Sequence, residues 1–202
     1  MSLNSNALIT VPEYKSIVSL ELDNTGVDDT QLEYLINSAS QSVENYCCRK
    51  FITPDDQITE TFEGFGDYDY YLKHCRIADD DVPVLYYWDG DSWETLSLTS
   101  YPYSYTRESG KIYFTGGDNF WKPTQEGFQN WKVTYKYGWA IASIPSDIKV
   151  VCADLVSRSR FRLEKTSLVS ESFGDTSTTY DTTLLPDAIK RILDRYRGCS
   201  YG

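Results

Sequence analysis

Residues 28–51 read DDTQLEYLINSASQSVENYCCRKF. Apolar side chains fall at Leu32, Leu35, Ile36, Ala39, Val43, Tyr46 and Cys47, in steps of 3, 1, 3, 4, 3 and 1. That spacing draws a single apolar stripe along a helix. Asp29 or Thr30 stands at the N-cap, with Glu33 closing a T-x-x-E box. Arg49 and Lys50 suit the negative end of the helix dipole. The stretch predicts a helix over about 30–48. One stripe needs a second apolar face to cover it, so the rest of the chain must supply other helices.

Three other segments qualify. Upstream, TVPEYKSIVSLE carries a capping box from Thr10 to Glu13 and a proline in its first turn. Ile17 and Val18 give it a narrow apolar face, and about three turns should end near Leu20–Asp23. Downstream, IPSDIKVVCADLVSRSRFRLEK opens on Pro145, Ser146 and Asp147 and keeps helical steps through Ile148, Val151, Cys152 and Leu155. Finally LLPDAIKRILDRYRG starts at Pro186 and Asp187. It faces inward with Ile189, Ile192, Leu193 and Tyr196 and stops at Gly198.

Between the second and third helices the composition changes. Residues 58–137 hold 20 of the 30 aromatic residues. Strand-like runs separated by turn signals read QITETFEGF, YDYYLKH, VPVLYYWDGDSWETL, YSYTRESGKIYFTGG and NWKVTYKYGW. Asp-Gly between aromatic runs at 89–90 signals a hairpin, and RESGKIYF another. Five or six short antiparallel strands are expected in these 80 residues. The fold class is therefore α+β: a small bundle of about four helices with an antiparallel β insertion between the second and third. Residues 1–51 and 138–202 form the helical core, and 52–137 the aromatic-rich insertion.

Composition bounds the function. The chain has 202 residues, 41% of them hydrophobic, enough for a core. No apolar run approaches a membrane span, and MSLNSNALITVPEY has neither the basic nor the apolar region of a signal peptide. Cys47, Cys48, Cys75, Cys152 and Cys199 are odd in number and lack CxxC spacing, which reads as reduced thiols in a cytoplasmic compartment. Net charge is −11: residues 1–50 carry 3 bases and 7 acids, 51–137 carry 7 and 15, and 138–202 carry 9 and 8. Such a surface repels a phosphate backbone over most of its extent.

Catalytic signatures are missing. His74 is the single histidine, in a run that reads as strand, and is expected to be a surface or satisfied residue. GxSxG, P-loop and GxGxxG motifs are absent. Paired carboxylates supporting glycoside chemistry are the enzymatic alternative. ADDD at 78–81 is the densest acidic cluster; it lacks EF-hand spacing, and such a run in a loop is ordinarily solvated. No cofactor or metal is expected. In YPYSY, Tyr101, Tyr103 and Tyr105 share one strand face, and either pack across the sheet or bind carbohydrate or another protein. Arg158, Arg162 and Lys165 share one helix face, either solvated or facing phosphates or an acidic partner.

One stretch fits neither helix nor plain linker. Residues 169–181, VSESFGDTSTTYD, hold six Ser and Thr hydroxyls that compete for backbone hydrogen bonds, so a polar loop is expected. Yet it contains Phe173 and Tyr180.

Three pieces together resemble the head–tail connector proteins (head-completion or adaptor proteins) of long-tailed bacteriophages. They are ALITVPEYKSIVSLELDNTGVDDTQLEYLINSASQSVENYCCRKF at 7–51, VTYKYGWAIASIPSDIKVVCADLVSRSR at 133–160, and the Ser-Glu-Ser-Phe-Gly-Asp run before the last helix. Together they cover about half the chain; the long insertion at 52–137 departs from the family pattern. The resemblance implies a structural virion protein that catalyses no reaction. It would form a ring, commonly of roughly twelve subunits, docked to the portal protein. DNA would pass through the channel without sequence-specific binding, and a stopper or tail-completion protein would attach below. It implies assembly in the host bacterial cytoplasm and no membrane partner. Phe173 and Tyr180 would be interface anchors, Gly174 would permit a turn, and Glu171 and Asp175 would meet arginines across the interface. Lys190, Arg191, Arg195 and Arg197 on the last helix would form a second surface.

Overall fold

A computed structural model of the chain describes residues 2–18, 28–64, 69–96, 103–114, 127–164, 170–173, 176–179 and 185–198. The fold is mixed α+β, with four α-helices and antiparallel sheets among the described residues. It divides into two compact units, Met1–Cys48 with Ile144–Arg197, and Arg49–Ser143 with Gly198–Gly202.

The helical unit contains α1 (Val11–Val18), α2 (Asp29–Cys47), α3 (Ser146–Glu164) and α4 (Asp187–Leu193). The reciprocal capping box of α1 is present: Thr10 N–H donates to Glu13 Oε2 at 2.7 Å, and Glu13 N–H to Thr10 Oγ1 at 3.3 Å. The buried side chains of α1 are Val11 and Tyr14, not the expected Ile17 and Val18; Ile17 is 37% exposed. Tyr14 prevails because its ring is buried while its hydroxyl reaches Ser157 Oγ at 3.1 Å, satisfying the polar tip. The expected end of this helix near Leu20–Asp23 lies outside the described residues.

Helix α2 buries Leu32, Ile36, Ala39, Val43 and Cys47, as the stripe requires. Its cap is Asp28, one residue before the expected Asp29 or Thr30. Asp28 is extended (ψ 127°) and its carboxylate accepts the Thr30 N–H at 3.1 Å. Asp28→Ala is expected to cost about 1 kcal/mol, read as a lower melting temperature; Thr30→Ala is expected to cost less. At the other end, Cys48 is left-handed (φ 51°) and its N–H turns back to the last carbonyls. Against the α2 stripe, α3 places Ile148, Val151, Cys152, Leu155 and Val156, all at most 2% exposed. Ser40, inside the α2 face, accepts the Leu8 N–H at 3.0 Å and lies 3.6 Å from Cys152 Sγ. Burial pushes the Cys152 thiol up to about 11. Cys48, Cys75 and Cys152 are free thiols; Cys199 lies outside the described residues.

Helix α4 buries Ile189 and Leu193, then tightens into a 3-10 turn over Asp194–Tyr196. Tyr196 donates its hydroxyl to Asp147 at 2.8 Å, tying this end to the start of α3.

Among the described residues the β unit has seven strands: β1 (Ile58–Gly64), β2 (Asp69–Tyr71), β3 (Val84–Trp88), β4 (Trp93–Thr95), β5 (Tyr103–Thr106), β6 (Lys111–Phe114) and β7 (Gly127–Tyr135). Two antiparallel sheets form, of order β1-β7-β3-β4 and β2-β6-β5. Strand β7 reads Trp-Lys-Val-Thr-Tyr at its end; Trp131, Val133 and Tyr135 are buried while Lys132 and Thr134 point away. Phe62, Leu72, Ile77, Leu85, Leu96, Ile112 and Phe114 complete that core. Both predicted hairpins are present. Strands β3 and β4 pair through Trp88 and Trp93, and β5 and β6 through Thr106 and Lys111. Among the described residues of the YDYYLKH run the strand covers 69–71, so His74 lies in a bend beyond β2, not in a strand. The ladder stops because Lys73 N–H is turned onto the Glu60 carboxylate, at 3.3 Å.

The expected polar loop contains a hairpin, β8 (Ser170–Phe173) with β9 (Thr176–Thr179), pairing Phe173 with Thr176. Four of its eight residues are β-branched threonine or aromatic, types that favour extended backbone.

Candidate functional site

No helix among the described residues is long and apolar enough to cross a membrane, and no cluster of His, Cys, Asp or Glu among them could hold a metal ion. Of the ADDD run, Asp79 pairs with Arg76 at 3.0 Å. Asp81 is buried and accepts from Gln57 Nε2 at 2.8 Å and from the Lys136 N–H at 2.5 Å. These two carboxylates hold loops together, and Asp80 is exposed. His74 stacks on Tyr137, with centroids 4.4 Å apart, and burial holds its pKa below the ordinary value. It is a packed histidine.

Tyr103 and Tyr105 pack against the core of the β unit, and Tyr103 donates its hydroxyl to the Pro83 carbonyl at 2.7 Å. Tyr101 lies outside the described residues. The aromatic face that does look outward is elsewhere. Tyr86 and Lys132 are register partners on β3 and β7, and Lys132 Nζ lies 4.6 Å from the ring centroids of both Tyr86 and Trp93. Trp88 is 41% exposed and meets Trp93 edge-on at 5.5 Å. The Asp-Gly signal located this hairpin, but which of its aromatics face outward follows from sheet register.

Sequence reasoning also missed a buried carboxylate. Glu60 on β1 is 7% exposed and is hydrogen-bonded to the Tyr135 hydroxyl and the Lys73 N–H. Burial raises its pKa above the ordinary 4.5 despite those bonds. The folded protein therefore holds this proton more tightly than the unfolded chain does. Glu60's contribution to stability is full below 4.5 and is lost as pH rises through its raised value. Melting temperatures of wild type and Glu60→Gln, compared across that acid-to-neutral window, should show this downward slope in wild type alone. Parallel profiles would exclude it.

The predicted interface residues fall in two places. Glu171 and Phe173 are on β8; Gly174, Asp175 and Tyr180 lie outside the described residues. Around α4, Lys190 pairs with Asp187 at 3.1 Å, and the Arg197 guanidinium lies 5.8 Å from the Tyr46 ring, whose hydroxyl donates to Asp194 at 2.9 Å. Arg191 and Arg195 are exposed. On α3, Arg158 is paired with Asp154 at 3.2 Å, Arg162 is exposed, and Lys165 is outside the described residues.

The model of the head completion protein family matches residues 7–199, spanning the helical segments and the β insertion alike. The chain belongs to the head completion protein family. It is therefore a structural protein of the head–tail junction of a phage-like virion. Two solved structures share the fold. One is titled the neck of an empty gene transfer agent particle computed with C6 symmetry (TM-score 0.58, 12% identity), the other the virion of a native gene transfer agent particle (TM-score 0.56, 10% identity). Each alignment covers 100% of this chain and 95% of the other. No curated protein sequence matches the chain.

Proposed function

We propose that this head completion protein is a subunit of a connector ring that docks on the portal and forms part of the DNA channel. The observation that carries the reading is the family match over residues 7–199, which includes the enlarged β insertion. The charge balance supports it: a net charge of −11 lets packaged DNA slide past without sticking. The ring has roughly twelve subunits, a closed cyclic number suited to one portal. It assembles in the host bacterial cytoplasm and receives a stopper or tail-completion protein on its far side.

The β8–β9 hairpin supplies the contact with the portal or a neighbouring subunit. A two-stranded ribbon is marginal on its own in water and gains most from docking. Phe173 and Tyr180 anchor it, Glu171 and Asp175 meet arginines opposite, and Gly174 allows the turn. Sedimentation velocity of the protein with the portal oligomer of the same genome tests the function. Co-sedimentation near one subunit per portal chain is expected, and absence of binding would overturn it. Alanine at both Phe173 and Tyr180 should weaken that binding by ~10-fold or more; unchanged binding would remove the hairpin from the interface.

A further inference from the structure

We infer that the outward face of the β1-β7-β3-β4 sheet binds a neutral polysaccharide chain, an activity separate from the connector function. Strand register fixes what this face carries. Glu60, Val133 and Leu85 are register partners buried in the core, so the residues on either side of them in each strand turn outward. The outward set is Tyr86, Trp88, Trp93 and Lys132 with four threonines and one valine. It holds no acid, although residues 51–137 carry 15 acids against 7 bases. Trp88, Thr59, Thr61 and Thr95 are exposed, so no described element covers the face.

The chemistry of the face suits a sugar. One side of a pyranose ring is a plane of C–H groups that stacks on an indole, while its rim of hydroxyls needs hydrogen-bond partners. Trp88 offers the indole, held by its edge-on contact with Trp93. Lys132 offers donors: its ammonium rests against the Tyr86 and Trp93 rings, 4.6 Å from each centroid, and pairs with no carboxylate among the described residues. The threonine hydroxyls both donate and accept.

Size and charge select the occupant. Four strands ~4.8 Å apart, with the five residues of β3 among them, give a face on the order of 250 Å². A stable protein complex covers ~800 Å² on each partner. A second copy would also bring its own charge of −11 toward the acidic turn at Asp89 and Asp91 beside Trp88. An anionic glycan meets the same repulsion, and a neutral one does not. A flat sheet face, open at its sides, admits the middle of a chain, where an enclosing pocket would favour a free sugar.

Titration calorimetry of the full chain with cellotriose and with chitotriose, both neutral β-1,4-linked chains, tests the site. At least one should bind with a Kd on the order of 1 mM or tighter, and glucose at least ~10-fold more weakly. Trp88→Ala and Lys132→Gln should each weaken that binding by ~10-fold. Tyr113→Ala, an exposed aromatic on the other sheet, should leave it unchanged. Circular dichroism checks the fold of each variant. Lys132→Gln keeps most of the side-chain stem and decides alone if Trp88→Ala disturbs the hairpin. Binding of neither trisaccharide, glucose bound as tightly as the chains, or binding untouched by Lys132→Gln would overturn the site. A wild type that ignores both chains but forms a dimer that Trp88→Ala abolishes would also overturn it and give the face to a second copy.

Discussion

Gly138→Val is expected to unfold the β unit well below the wild-type melting temperature. Gly138 sits at φ +88°, a region that side chains rarely adopt. A Cβ there would stand 2.6 Å from the Phe51 carbonyl oxygen and 3.0 Å from the Ile52 carbonyl carbon, both backbone atoms that cannot swing aside. The approach is that close because Trp139 N–H donates to the Phe51 carbonyl at 2.7 Å while Thr53 N–H donates to the Trp139 carbonyl at 3.0 Å. Strain and clash together should cost about 3 kcal/mol or more, a drop of roughly 6–12 °C in a chain of this size. Gly90→Ala is the control. Gly90 has φ +112° but nothing within 4 Å of its missing Cβ, so it should lose only about 1 kcal/mol. Equal losses in the two variants would mean that backbone conformation, and not the Phe51 contact, sets the need for glycine.

Arg76→Ala is the second large effect, expected at about 2–3 kcal/mol. The Arg76 side chain is 8% exposed, with its guanidinium 4.4 Å from the Trp139 ring centroid. Its Nη1 donates to the Gly138 carbonyl at 2.8 Å, and its own carbonyl accepts the Gly138 N–H at the same distance. Truncation strips that buried carbonyl of a charged donor and opens a gap against Trp139. Its ion pair with Asp79 matters less, because Asp79 is 60% exposed and water takes over much of its solvation. Asp79→Asn should therefore cost well under about 1 kcal/mol. Thermal unfolding followed by tryptophan fluorescence reads both, and a larger loss for Asp79→Asn would reverse the ranking.

The helices were legible because each depends on local spacing. The α2 stripe is buried at Leu32, Ile36, Ala39, Val43 and Cys47 and half-buried at Leu35 and Tyr46, and the Thr10–Glu13 box closes as read. The limit of such reading shows at α1. Ile17 is the more apolar choice, but Tyr14 is buried because a hydroxyl on α3 lies within reach of its own. The hairpins were legible from turn chemistry, and strand direction with them. That β2 ends at Tyr71, short of His74, is not legible locally, because the Glu60 carboxylate that captures the Lys73 N–H is distant in sequence.

The sequence by itself determined the fold class, the helical stripes, the hairpins, the charge balance and a family resemblance spread over half the chain. All of these depend on residues within a few positions of one another, or on sums over the chain. Only the tertiary structure decided which aromatics face outward. One residue of register reverses a strand's faces, so Tyr103 and Tyr105 pack inward while Trp88 meets solvent. It also decided that Glu60 and Arg76 are buried, since their partners Tyr135 and Gly138 arrive from more than sixty residues away. Burial of a charge is a property of what surrounds it, and no local pattern records that.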